Sequence, residues 1–198
     1  FRKKGLKEKY IHAVLESYQV NSGNISILME LSDIFIKSRQ YRASLAFLET
    51  IQNRSASDLG CILVMETVYG YMNAEGKVNE MRKKGNEIII NNPLDKFRSR
   101  FETQTIQSKS NRILVSLTEE GRYNHNYTTS EKAIVSSEGK KIQLFQNANV
   151  CGSLRNNDEV LYGLYNENGV EYADCVEPDF QSLNDLINNI RKQLNLIK

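Results

Sequence analysis

Two stretches, residues 25–51 and 62–90, each carry apolar side chains at helical spacing on both sides of a short polar turn, so each reads as an antiparallel pair of helices. Two such hairpins in succession constrain the fold more than any other feature. Neither can bury its apolar stripe alone, so the two must stack, and stacked hairpins make a repeat array. In the first, Ile27, Leu28, Leu31, Ile34 and Phe35 form the buried face before a bend at 38–41, and Ala43, Ala46, Phe47 and Ile51 form it afterwards. In the second, Ile62, Met65, Val68, Tyr69 and Met72 precede the turn Asn73-Ala74-Glu75-Gly76. A further helix over 77–90 follows and is closed by Asn91-Asn92-Pro93. Asn24, and Asp58 or Ser57, stand where N-caps are needed. An earlier helix over 5–20, with Leu6, Tyr10, Ala13, Val14 and Ser17 on one face, ends in the turn cluster Asn21-Ser22-Gly23-Asn24.

The arrangement resembles the tetratricopeptide repeat, a helix–turn–helix of roughly 34 residues. Setting Pro93 on the final proline of that pattern puts Gly76 on the turn glycine, Met72 on the tyrosine position and Met65 and Val68 on the first two large positions. An offset of 37 residues then places Leu28, Leu31, Phe35, Tyr41, Leu48 and Ile51 at equivalent points, with Ser32 and Ser44 on small-residue positions. Met81 and Gly85 depart from the pattern, and the offset is three residues too long for it. The resemblance implies two degenerate units over 25–93, and 5–20 as the trailing helix of an earlier one.

After Asn111 the period changes from helical to two. Strands are expected at 112–117, 123–129, 132–136, 140–146, 160–165 and 170–176. Ser137-Glu138-Gly139 and the stronger Asn166-Glu167-Asn168-Gly169 mark hairpins. A last amphipathic helix over 182–197 carries Leu183, Leu186, Ile187, Ile190, Leu194 and Ile197 on one face, and its expected seat is the sheet. Residues 94–110, with Phe97 and Phe101 four apart, suit a helix that caps the array. The fold class that follows is α+β: a helical-repeat domain over 1–108, then a small antiparallel sheet or barrel with a C-terminal helix over 109–198.

Residues 1–110 carry 17 Lys/Arg against 12 Asp/Glu, and residues 111–198 carry 9 against 12. The basic excess comes with no nucleic-acid-binding motif and few interleaved aromatics, so it reads as a solvated helix surface and no nucleic acid is expected. No apolar run reaches the roughly 18 residues that span a bilayer. The chain begins at Phe1 and reads as a piece of a longer protein, expected in the cytoplasm. Cys61, Cys151 and Cys175 have no metal-ligand spacing and read as reduced thiols.

Chemistry is sparse. No phosphate loop or zinc motif is present, and Cys175 with His125 makes a poor nucleophile pair because nothing in the sequence brings them together. No catalytic residue, metal or cofactor is therefore assigned. The leading expectation is a non-catalytic interaction or scaffolding module. Partner contacts would fall on Phe35, Lys37, Met65, Tyr69 and Met72, although some of these must be core, and a homo-oligomer is compatible with such surfaces. The resemblance implies a second possibility, the accessory C-terminal region of a larger enzyme such as a glycosyltransferase, serving acceptor binding or dimerisation. A third is a carbohydrate- or ligand-binding β domain, using a polar aromatic loop with Tyr123, His125 and Tyr127.

Overall fold

The computed structural model describes residues 2–91, 111–126 and 128–194. Five helices come first: α1 (Arg2–Val20), α2 (Ile25–Lys37), α3 (Tyr41–Arg54), α4 (Leu59–Tyr71) and α5 (Glu75–Asn91). Five strands follow: β1 (Arg112–Asn126), β2 (Glu131–Ser136), β3 (Lys141–Leu144), β4 (Glu159–Glu167) and β5 (Val170–Pro178), and α6 (Leu183–Gln193) ends the set. The class is α+β, helices before strands. Among the described residues no helix is long and apolar enough to cross a membrane.

The helices repeat with a period of 34 residues, not 37. N-caps Asn24 and Asp58, helix starts Ile25 and Leu59, and helix ends Lys37 and Tyr71 are all separated by that step. Each hairpin bends at one residue in the left-handed region, Arg39 (φ 59) and Asn73 (φ 52), again 34 apart. The backbone bonds that close the two bends correspond as well, Gln40 N to Phe35 O at 2.9 Å and Ala74 N to Tyr69 O at 3.0 Å. Pro93 lies outside the described residues, and the caps Asn24 and Asp58 set the register of the repeat instead. Asn24 accepts from Ser26 N at 2.9 Å, and Asp58 accepts from Cys61 N at 2.8 Å, so each first helix starts on a satisfied donor.

Each of the first five helices packs on its sequence neighbours, and Lys84 of α5 also bonds Gln52 of α3, so alternate helices meet. The buried pair Ser32 and Ser44, hydroxyl oxygens 2.8 Å apart, lets α2 and α3 approach closely while satisfying both groups. Leu31, Phe35, Phe47, Met65 and Val68 are all buried in the core of the array.

The strands close into a barrel in the order β1-β2-β3-β5-β4, with β1 also paired to β4. All pairs are antiparallel except β3 with β5, so the barrel is mixed. Its interior holds Tyr123, Ile134, Ile142, Val160, Tyr162, Ala173 and Val176. The two strands expected at 112–117 and 123–129 are one. β1 runs through Gly121, where a Cβ would come within 2.6 Å of Ile134 and 2.7 Å of the Val135 carbonyl. The bare glycine lets β1 lie close to β2, and register shifts between Leu114 and Glu119 bend the strand around the barrel.

The C-terminal helix corrects another expectation. Leu186, Ile187 and Ile190 join the core of the helical array and α6 packs on α3, not on the sheet. The barrel needs no cover because closure already gives it two-sided pairing and an interior of its own. The expected helix over 94–110 and the division at 108/109 fall outside the described residues.

Candidate functional site at the helix–barrel junction

Helix α3 starts without a side-chain cap of its own, since Gln40 makes none. The acceptor comes from β5. Both carboxylate oxygens of Glu177 accept from Arg42 N, at 2.9 and 3.1 Å, and one also accepts from Ala43 N at 3.3 Å. These are the second and third amides of α3, the donors an N-cap serves, so a strand residue caps this helix across 135 positions of sequence. The negative charge also faces the positive end of the helix dipole.

Arg42 completes the arrangement. Its Nη1 lies 2.9 Å from Glu177 Oε1, with the side chains 5% and 1% exposed. The same guanidinium donates to the carbonyls of Cys175 and, through Nε, Leu117, so it binds β5 and β1 at once. Burial pushes the Glu177 carboxyl above the usual carboxylate range, while Arg42 and the two amides pull it back down. On the same side Tyr165 of β4 donates its hydroxyl to the carbonyl of Met72, the C-cap of α4. The barrel thus gives an acceptor to one helix start and a donor to one helix end.

A bulge aims these groups. Cys175 has φ 52, and the β4–β5 register shifts between Leu161 and Gly163. Asp174 holds the bulge by accepting from Cys175 N and Asn149 N, each at 2.7 Å. Ala173 and Val176 therefore enter the barrel interior, while Cys175 enters the helical core. Gly163 leaves room for the Tyr165 ring, which would lie 2.7 Å from any Cβ placed there.

No protein-family model matches the chain, and no curated protein is similar to it in sequence. What the junction can do is therefore read from its chemistry. It is a structural clamp: the thiol of Cys175 is buried, and burial with Asp174 nearby pushes it up to about 12, far from a reactive thiolate. Cys61 and Cys151 are buried as well. In native protein at pH 8, Ellman's reagent should label Cys175 no faster than the protein unfolds; rapid stoichiometric labelling would mean that the junction opens freely.

The residues expected to bind fare unevenly. Phe35, Met65, Tyr69 and Met72 are buried in the array core, where the repeat needs its large apolar positions. Lys37 is exposed at the end of α2. Tyr123 and His125 lie within β1 and not in a loop. The Tyr123 ring fills the barrel interior, because strand alternation turns it inward from Gly121 onwards, and His125 packs beside it with ring centroids 6.3 Å apart. Tyr127 is outside the described residues. Among the described residues no group of three His, Cys, Asp or Glu side chains is placed to hold a metal ion. Sequence reasoning gives no role to Arg42 or Tyr165, and reads Glu177 only as one of several strand-end carboxylates placed for solvation. Its one available signal was a helix start with Gln40, a poor cap.

Proposed function

We propose that the chain is a non-catalytic interaction module whose partner is a protein or peptide, held on the face of the array formed by the first helices of the two hairpins. The observation that carries this reading is the 34-residue structural repeat, which is the period of tetratricopeptide arrays. A repeat presents equivalent surface positions at equal intervals, and Lys37 and Tyr71 are such a pair. Tyr71 is 49% exposed yet stacked on Tyr41, with centroids 5.6 Å apart and planes at 29°. An aromatic ring held rigid before binding loses little entropy on contact, which is how aromatic anchors concentrate binding energy.

The barrel bears on partner class. Its strand order resembles that of five-stranded OB-type barrels, which present strands two and three to oligonucleotides or oligosaccharides. Phosphate binding needs a surplus of positive charge there. Here Lys141 pairs with Glu131, Arg122 with Glu159 and Lys140 with Glu171, and Glu131 is held below its usual range by its bonds to Lys141 and Gln143. A charge-balanced face supports a protein partner over a nucleic acid.

The test is affinity capture from the source cells with cross-linking, using the parent, a Lys37→Glu/Tyr71→Ala variant and a Lys132→Glu barrel control. The parent and the control should recover the same protein, and the array variant at least tenfold less at an unchanged melting temperature. Equal recovery by all three would rule out this face.

A further inference from the structure

The 34-residue repeat puts matched positions on the outward faces of α2 and α4, and the two faces differ in kind. On α2 they are Ser26, Glu30, Asp33 and Lys37, as expected of a solvated helix surface. On α4 they are Gly60, Val64, Thr67 and Tyr71, with Leu63 and Gly70 beside them, all exposed or half-buried. α4 carries a single charged side chain, Glu66, which pairs with Arg82 at 2.7 Å and is only 13% exposed. Gly70 faces open space, and near Gly60 only the Asp58 side chain would meet a Cβ. A helix surface left in water has no reason to lose charge at every matched position, so this face is built to be covered.

We infer that it is covered by a second copy of the chain, the two α4 helices packing antiparallel about a two-fold axis. The inference rests on the array-face reading above and names the occupant of that face. Two features select a copy. The face is complementary to itself in size: an axis through the middle of α4 sets Gly60 opposite Tyr71 of the second copy, the smallest residue against the largest, and Val64 opposite Thr67, two of equal size. The Tyr71 ring, fixed by its stack on Tyr41, is still 49% exposed and free to enter the hollow over Gly60 of the copy. The ends are complementary in charge. Asp58 caps the N-terminal end of α4, and Arg39, in no ion pair among the described residues, stands by Tyr41 and Tyr71 at the other end. Glu75, just past that end, lines the cleft against β1 instead. An antiparallel crossing brings Asp58 of each chain toward Arg39 of the other and opposes the two helix dipoles.

The experiment is sedimentation velocity of the purified full chain between about 5 and about 200 μM, where a reversible monomer–dimer equilibrium is expected. Position 67 lies beside the axis, so each dimer brings its two copies together. Thr67→Lys and Thr67→Glu, at an exposed site, should each weaken the dimer about tenfold with an unchanged melting temperature. An equimolar mixture of the two variants should recover the parent's association, because a lysine of one chain then meets a glutamate of the other. A chain that stays monomeric across that range, a dimer indifferent to both substitutions, or a mixture no stronger than its components would each overturn the inference. A monomeric chain whose captured protein is still lost on Lys37→Glu/Tyr71→Ala overturns the second copy alone and leaves the array face standing. A monomeric chain with capture unchanged overturns both.

Discussion

Replacing Arg42 with alanine is expected to lower stability by about 3–5 kcal/mol, the usual result of removing one partner from a buried ion pair. The loss has three sources. Glu177, at 1% exposure, would lose the cation that favours its ionised form and keep only the two α3 amides to bind. The Leu117 and Cys175 carbonyls would lose their donor. The stem of Arg42 would leave a hole between α3 and β5. Glu177→Gln should cost less, because an amide oxygen can still accept from Arg42 N and Ala43 N. The paired replacement Arg42→Met with Glu177→Leu should recover part of the loss, since a buried pair often yields to well-packed apolar groups. It would leave α3 without its cap, a cost of about 1 kcal/mol. Urea unfolding of the three variants orders these effects. An Arg42→Ala protein within about 0.5 kcal/mol of the parent, the range of ordinary surface changes, would show that the pair is not buried as described.

The second large effect belongs to Phe47. Its ring is fully buried in α3, stacked on Phe35 with centroids 5.5 Å apart and met edge-on by Tyr18 at 6.4 Å. Truncation to alanine should cost about 3–5 kcal/mol, through lost transfer energy and the cavity left between α1, α2 and α3. Phe35→Leu, which keeps most of the volume, should cost clearly less. A Phe47→Ala loss below about 0.5 kcal/mol would mean that the buried face of α3 has been misread.

What was legible in the sequence was local. Asn24 and Asp58 announce their helices because a capping side chain acts within three residues. The apolar stripes of α2 to α5 identify the core positions, and Asn168-Gly169 identifies the β4–β5 turn, where Gly169 takes φ 85. What stayed hidden is what long-range packing decides. Phe35, Met65, Tyr69 and Met72 look equally suited to a core or a contact surface, and only the packed array sorts them. Residues 112–117 and 123–129 read as two separate strands, whereas in the barrel Gly121 lets one strand bend and continue. The stripe on α6 predicts burial without naming its destination. Nothing near Glu177 in sequence hints that its carboxylate caps a helix 135 positions earlier.

The central claim is that barrel and array are clamped together at the start of α3, and native-state hydrogen exchange resolved by residue tests it most directly. The first amides of a helix normally exchange fast, because no preceding turn supplies their acceptors. Ser26 N, bonded to the exposed Asn24 side chain, is the internal comparison. If Glu177 holds α3 as described, the Arg42 and Ala43 amides should open only with global unfolding, at the same free energy as the barrel-core amides of Tyr162 and Val176. Arg42 and Ala43 exchanging as fast as Ser26, in a protein whose barrel amides remain protected, would contradict the clamp.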